Sequence, residues 1–356
     1  NSERRNKYML TKENFNESHI RMLQKQSKKD PALLERVVFA FGLLEAISRV
    51  EMPFIFKGGT CLILLLKHPM RLSTDIDIIV APDTDVDTYI SKASTIFPFK
   101  QCEEQVRIGK NSIEKRHFKF TYQSPITGKD IYILLDILFA ENPYTKVVDC
   151  EIRNDLLLTE PEYLLVKTPD INCILGDKLT AFAPHTTGIP LNVKKDMEVM
   201  KQMYDVGTLL DEFTDFNLVY DTYFKVAAEE ISYRGNNITV GDAIKDTYMS
   251  AACIASRGTL SSEDYPLYVQ GIRDLRGHIY TENYSPETAV GRAAKVMYMA
   301  ACLLKRQPYE KIEDPMGFST QKFYTTDMTK LKYLRKVNLE AYGYAIKAEH
   351  LMNSQS

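Results

Sequence analysis

The sequence predicts an α/β (α+β) fold, a mixed β-sheet flanked by helices and followed by a helical C-terminal domain, and three observations carry that prediction. Residues 54–80 read as strand, glycine turn, short helix and second strand. Residues 115–122 and 131–139 are two β-rich runs joined by the turn Ser124-Pro-Ile-Thr-Gly-Lys-Asp130, which is a hairpin signal. From Asp170 onward the pattern turns helical, notably over residues 170–182, 197–213, 220–232 and 285–305.

Two helices are expected ahead of the first strand, the second opened by Asp30 as N-cap with Pro31 in its first turn. A further helix is predicted near residues 86–95, and strands near 147–152 and 163–167. Ser285 followed by Pro286 and Glu287 is a good helix start. Residues 185–190 and 309–317 read as connections, and no internal repeat or low-complexity segment is visible. The expected domains are N-terminal helices over 1–50 packing on the sheet, a catalytic core over 51–168, and a helical domain over 169–356.

A chain of 356 residues with 44% hydrophobic and 26% charged residues is large enough for two domains with a substantial core. Its formal net charge of −2 gives no global attraction for nucleic acid, so any such binding needs a local basic patch. No apolar run approaches the roughly 18 residues that span a bilayer, so no membrane partner is expected. The start Asn-Ser-Glu-Arg-Arg does not read as a signal peptide, and the missing Met suggests a trimmed or engineered terminus. Six dispersed cysteines without C-x-x-C pairing fit a reducing, cytoplasmic setting better than a disulfide frame or a zinc site.

Gly58 and Gly59 allow a tight turn and a close backbone approach, and the N–H groups at the start of the following helix favour a phosphate. Thr60 adds a hydroxyl there. Asp75 and Asp77, two apart in Asp-Ile-Asp-Ile-Ile-Val, leave the same face of a strand while Ile76, Ile78 and Val80 enter the core. Two hard oxygen ligands on one face suit Mg²⁺. Asp136, alone in the apolar run 131–139, is the candidate third ligand, because that run reads as a central strand covered on both faces, where an unpaired carboxylate is costly. The rival reading is a buried Asp satisfied by backbone N–H groups or a lysine. Neither G-x-G-x-x-G nor G-x-x-x-x-G-K-[ST] is present, which argues against dinucleotide-binding and P-loop enzymes. In this order the motif is that of a nucleotidyltransferase holding an NTP over magnesium.

With these residues in view, the chain resembles the AbiEii/AbiGii toxin family of the DNA polymerase beta-like nucleotidyltransferase superfamily. The resemblance rests on Lys57-Gly58-Gly59-Thr60-Cys61-Leu62 and Arg71-Leu72-Ser73-Thr74-Asp75-Ile76-Asp77, then on Gly176-Asp177-Lys178-Leu179-Thr180-Ala181 and Lys201-Gln-Met-Tyr-Asp205-Val-Gly. It covers residues 54–210. One departure stands out: Pro184-His185-Thr186-Thr187-Gly188 occupies the place where the family often carries an arginine.

The resemblance implies transfer of a nucleoside monophosphate from an NTP to an acceptor hydroxyl with release of pyrophosphate, in a toxin paired with an antitoxin and acting on tRNA. Under it Asp75, Asp77 and Asp136 hold Mg²⁺, Gly58, Gly59 and Thr60 cradle the phosphates with Ser73, Lys178 neutralises the leaving pyrophosphate, and Asp205 belongs to the nucleotide site. Lys178 reads equally as an ion-paired helix residue, and Lys201 with Asp205 as an i,i+4 pair. Arg71 reads as holding the metal strand by a salt bridge or as touching substrate, and Lys57 is undecided. The run Lys330-Leu-Lys-Tyr-Leu-Arg-Lys336 combines cations with an aromatic, which suits RNA, though such a run is also the wet face of an amphipathic helix. Rival functions are nucleotidylation of a protein or a small molecule, and nucleotide binding without catalysis.

Overall fold

Alternating apolar residues build a central sheet in which one face is sealed and the other is only partly covered. The computed structural model describes residues 9–66, 68–105, 114–235 and 237–355; the reading of the N-terminal residues 1–5 lies outside them. The chain divides into two compact units, one running to Asp170 and taking in Gly277–Glu282, the other comprising Ile171–Arg276 and the chain from Asn283 onward.

In the first unit α1 (Glu17–Ser27) and α2 (Pro31–Arg49) precede β1 (Ile55–Lys57), α3 (Gly58–Leu65) and β2 (Ile76–Val80). Asp30 caps α2 as expected, its carboxylate accepting from the Ala32 N–H at 2.8 Å ahead of Pro31. Then come α4 (Val86–Ala93), β3 (Phe99–Glu104), β4 (Lys115–Gln123), β5 (Asp130–Phe139), β6 (Val147–Glu151) and β7 (Leu165–Pro169). Strands β1 to β5 form a mixed sheet in the order β1-β2-β5-β4-β3, in which β2 and β5 run parallel and the other neighbours antiparallel. Strands β6 and β7 pair separately.

One sheet face, carrying Phe56, Ile76, Ile78, Phe120, Tyr122, Ile133 and Leu135, is essentially inaccessible to solvent. Helix α2 covers it: Phe39 stacks on Tyr122 at 3.8 Å, and the buried Glu35 accepts from the Tyr122 hydroxyl at 3.0 Å and from Ser124 at 2.9 Å. The opposite face is only partly covered. Along β5 burial alternates, with Tyr132 exposed and Asp136 half-buried, so the expectation of a strand sealed on both sides is corrected. Three bulky apolar residues at even-numbered positions, Tyr132, Leu134 and Leu138, made the run look continuous, whereas only its odd-numbered positions face α2.

The second unit is helical: α5 (Ile171–Ala181), α6 (Asp196–Glu212), α7 (Phe216–Arg234), α8 (Val240–Ala255), α9 (Tyr265–Leu275), α10 (Pro286–Lys305), α11 (Leu334–Val337) and α12 (Leu339–Asn353). Ser285 caps α10 with a reciprocal bond to Thr288, behind Pro286. Sequence periodicity does not mark α12, because it is wrapped nearly all round, with Ala341, Tyr342, Gly343, Tyr344, Ala345 and Ile346 all buried and no polar stripe to betray it.

Candidate active site

Strand register assembles a polar row across the open face. Lys57 on β1 is the register partner of Asp77 on β2, Asp77 of Asp136 on β5, and Asp136 of His117 on β4. Register partners project to the same side, so the four side chains share one face. The nearest apolar layer, under α2, lies on the other.

Each member is placed by a local cause. Gly58 has φ of +82°, and a Cβ there would sit 2.4 Å from Asp77 Oδ2, so glycine serves both the left-handed turn and the approach of the carboxylate. At Gly59 a Cβ would lie 2.3 Å from Arg71 Nη2 and 3.1 Å from the Ser73 hydroxyl oxygen, which packs the guanidinium and Ser73 against the start of α3. The N–H groups of Gly58, Gly59 and Thr60 are in the first turn of α3, where no intrahelical acceptor exists for them. The start of a helix carrying a partial positive charge thus adjoins the Asp77 carboxylate.

The Thr60 side chain is fully buried, and its hydroxyl donates to the Asp75 carbonyl at 2.6 Å. That bond holds the chain entering β2 against α3. Arg71 is also buried, and its segment is clamped from both sides by the returning chain: Leu72 N–H donates to His278 at 2.8 Å and Tyr280 N–H to Met70 at 2.9 Å.

Asp136 contacts His117 Nδ1 through Oδ1, with the two side chains 26% and 14% exposed. Sequence reasoning missed His117. The signal was present in the hairpin: a turn closing at Gln123 and Asp130 sets residue 117 opposite residue 136, and Arg116, Phe118 and Phe120 alternate with it to the other face. Asp75 lies just ahead of β2 rather than within it. Among the described residues no group of three or more His, Cys, Asp or Glu side chains gathers into a metal cage. Mg²⁺ seldom uses such a cage; it takes one or two carboxylates, water and the oxygens of substrate phosphates. The paired Asp77 and Asp136 fit a site of that kind, completed by substrate.

The helical unit contains the other predicted residues. Lys178 on α5 and Asp205 on α6 are side chains 9% and 3% exposed, joined at 2.8 Å, with Gln202 accepting from the same ammonium at 3.3 Å. The two motifs therefore meet in a buried ion pair between helices. Lys201 lies 3.5 Å from Glu198. His185, in the place of the absent arginine, is held at both ring nitrogens, 2.8 Å from Asp246 and 2.8 Å from Asp264. Burial disfavours its charge, but the hydrogen bonds and negative charges of Asp246 and Asp264 outweigh that cost and raise its pKa above the usual imidazole value. In the basic run, Leu331 and Leu334 are buried and the Tyr333 hydroxyl donates to the Ala255 carbonyl at 2.6 Å, while Lys330, Lys332, Arg335 and Lys336 are exposed.

The family model "Nucleotidyl transferase AbiEii toxin, Type IV TA system" matches residues 42–273, a span that includes the whole polar row and both helical motifs. The chain belongs to this AbiEii family. It is a nucleotidyltransferase, with the mixed α/β core of that class. AbiEii proteins are the toxins of type IV toxin–antitoxin systems, which makes an NTP and an antitoxin the partners at family level. Among solved structures, JHP933 from Helicobacter pylori is 14% identical with a TM-score of 0.43, covering 76% of this chain and 93% of that one. A candidate nucleotidyltransferase from H. pylori is 13% identical with a TM-score of 0.44, covering 76% and 96%. No curated protein sequence matches the chain. No helix among the described residues is long and apolar enough to cross a membrane.

Proposed function

We propose that this AbiEii protein transfers a nucleoside monophosphate from an NTP to a hydroxyl of tRNA, with Asp77 and Asp136 as the central acidic pair. The observation that carries the reading is their direct register pairing on the open sheet face, beside the glycine start of α3. The N–H groups of Gly58 to Thr60, with the Ser73 hydroxyl, bind and orient the triphosphate. Asp77 and Asp136, with Asp75 at the mouth of β2, would hold Mg²⁺, which when bound neutralises phosphate charge and activates the attacking oxygen. His117 holds Asp136 through one carboxylate oxygen and so positions it to take up the proton of the acceptor hydroxyl.

Lys178 we assign to architecture: its ammonium is committed to Asp205 and Gln202 in a buried setting. The unit containing the sheet is then the catalytic one, and the toxin acts where NTP, tRNA and its antitoxin coexist.

Incubation with total tRNA and each labelled NTP, with Mg²⁺ and with a chelator, tests the reading. Labelled tRNA formed only with the divalent cation is the expected result. Label in protein or in a small molecule instead of tRNA would replace the acceptor, and no pyrophosphate from any mixture would remove the transfer reaction.

A further inference from the structure

The α10–α12 region of the helical unit carries a cleft of ≈720 Å³ that the transfer chemistry does not use. Lys305, Arg306, Lys347 and His350 line it, against one carboxylate, Glu310. Lys347 lies 3.4 Å from Glu310 and is partly neutralised by it. Lys305 instead donates to the Ser354 carbonyl at 3.0 Å, and the Arg306 guanidinium rests 5.2 Å from the Tyr220 ring centroid. Both keep their charge among neutral partners, so the cleft is cationic in a chain whose formal net charge is −2.

Beside these cations stands an aromatic ring that packing does not explain. Tyr324 is 69% exposed, yet it stacks on the His350 ring with centroids 3.9 Å apart and planes 7° apart. The backbone beneath it is pinned: the N–H groups of Tyr324 and Thr325 donate to the buried Glu349 carboxylate at 2.9 and 2.7 Å, and His350 Nε2 sits 2.9 Å from the Lys322 carbonyl. The ring is thereby presented in a fixed orientation next to the exposed Lys322. Tyr333, the aromatic of the basic run, has no such freedom, since its hydroxyl is bonded to Ala255.

A flat exposed ring beside unpaired cations matches the chemistry of an unstacked base and its phosphates. We infer that this cleft docks a single-stranded RNA segment, with phosphates against Lys305, Arg306 and Lys322 and a base stacked on Tyr324. The inference rests on the proposal that RNA is the acceptor, and deepens it by assigning where an unpaired stretch of that RNA is held. A duplex, whose bases are already stacked, offers no free base to the ring.

The test is fluorescence anisotropy of the full chain with a labelled single-stranded RNA 10-mer, a duplex of the same length, and tRNA, across a salt series. Tyr324→Ala should weaken single-strand binding about 5- to 150-fold, and Tyr324→Phe should not, because stacking is worth about 1–3 kcal/mol per base. Arg306→Gln and Lys305→Gln together should reduce the salt slope by about 1.4, from about 0.7 per phosphate contact on single strands. Melting temperature and NTP affinity should stay unchanged in all three proteins. Equal RNA affinities and slopes in wild type and variants would overturn the inference, as would selective capture of an acidic peptide by the cleft in place of RNA. The two readings separate cleanly: variants that bind RNA normally while wild type labels tRNA defeat the docking site alone, and cleft-dependent RNA binding without any label transfer defeats the acceptor alone.

Discussion

Replacing Lys178 by Met should cost stability before it costs chemistry. The ammonium and the Asp205 carboxylate are 9% and 3% exposed and 2.8 Å apart, so both charges have been taken out of water and compensate each other. Removing one member of a buried pair costs about 3–5 kcal/mol, mostly through the charge left behind. The lower end of that range, about 3 kcal/mol, is taken as the expected loss. For a unit of this size that lowers the melting temperature by about 6–12 °C. Hydrogen exchange of α5 and α6 amides, with a thermal melt, reads the loss where it arises. The double variant Lys178→Met with Asp205→Leu should recover most of it, because no uncompensated charge remains. At a temperature where Lys178→Met is folded, nucleotide transfer should persist. A loss below about 1 kcal/mol, or a folded variant with transfer abolished, would refute the architectural assignment and return Lys178 to the leaving pyrophosphate.

Three further outcomes follow from the site. Asp77→Asn should leave stability nearly unchanged, since it relieves repulsion with Asp136, while nucleotide incorporation falls by orders of magnitude and growth of cells expressing the toxin alone is restored; full transferase activity in the soluble variant would contradict the role of Asp77. Gly58→Ala forces a Cβ onto the Asp77 carboxylate at φ of +82°, so it should cost about 1–2 kcal/mol of strain and lower kcat more than it raises KM for NTP, which steady-state kinetics on the folded variant will check. His185 has a raised pKa, so its clasp with Asp246 and Asp264 contributes fully below the unfolded value of about 6.5 and is lost as pH rises through the higher folded value. Melting temperature should therefore fall over that window in wild type and stay flatter in His185→Gln; identical pH profiles would show that the clasp carries no linkage.

Much of the architecture is written in short-range pattern. Gly58 announces a tight turn because only a residue without Cβ tolerates φ of +82° and a carboxylate at contact distance, and Gly59 leaves the room that the Arg71 guanidinium fills. Asp30 with Pro31 and Ser285 with Pro286 mark helix starts for reasons confined to a single turn. The two-residue period of a strand is enough to separate Asp77 from Ile76 and Ile78. These features depend on a residue and its near neighbours, so they survive in one dimension.

What the tertiary structure alone decided are pairings between distant positions. That His117 holds Asp136 depends on hairpin register, that Lys178 is spent on Asp205 depends on how α5 meets α6, and that His185 is gripped by Asp246 and Asp264 depends on where α8 and α9 pack. Residues 131–139 show the limit most plainly: an apolar run states that a strand is hydrophobic, but whether one face or two is covered is set by which helices lie over the sheet. Here α2 seals one side, and the face left partly open is the one that carries the acids.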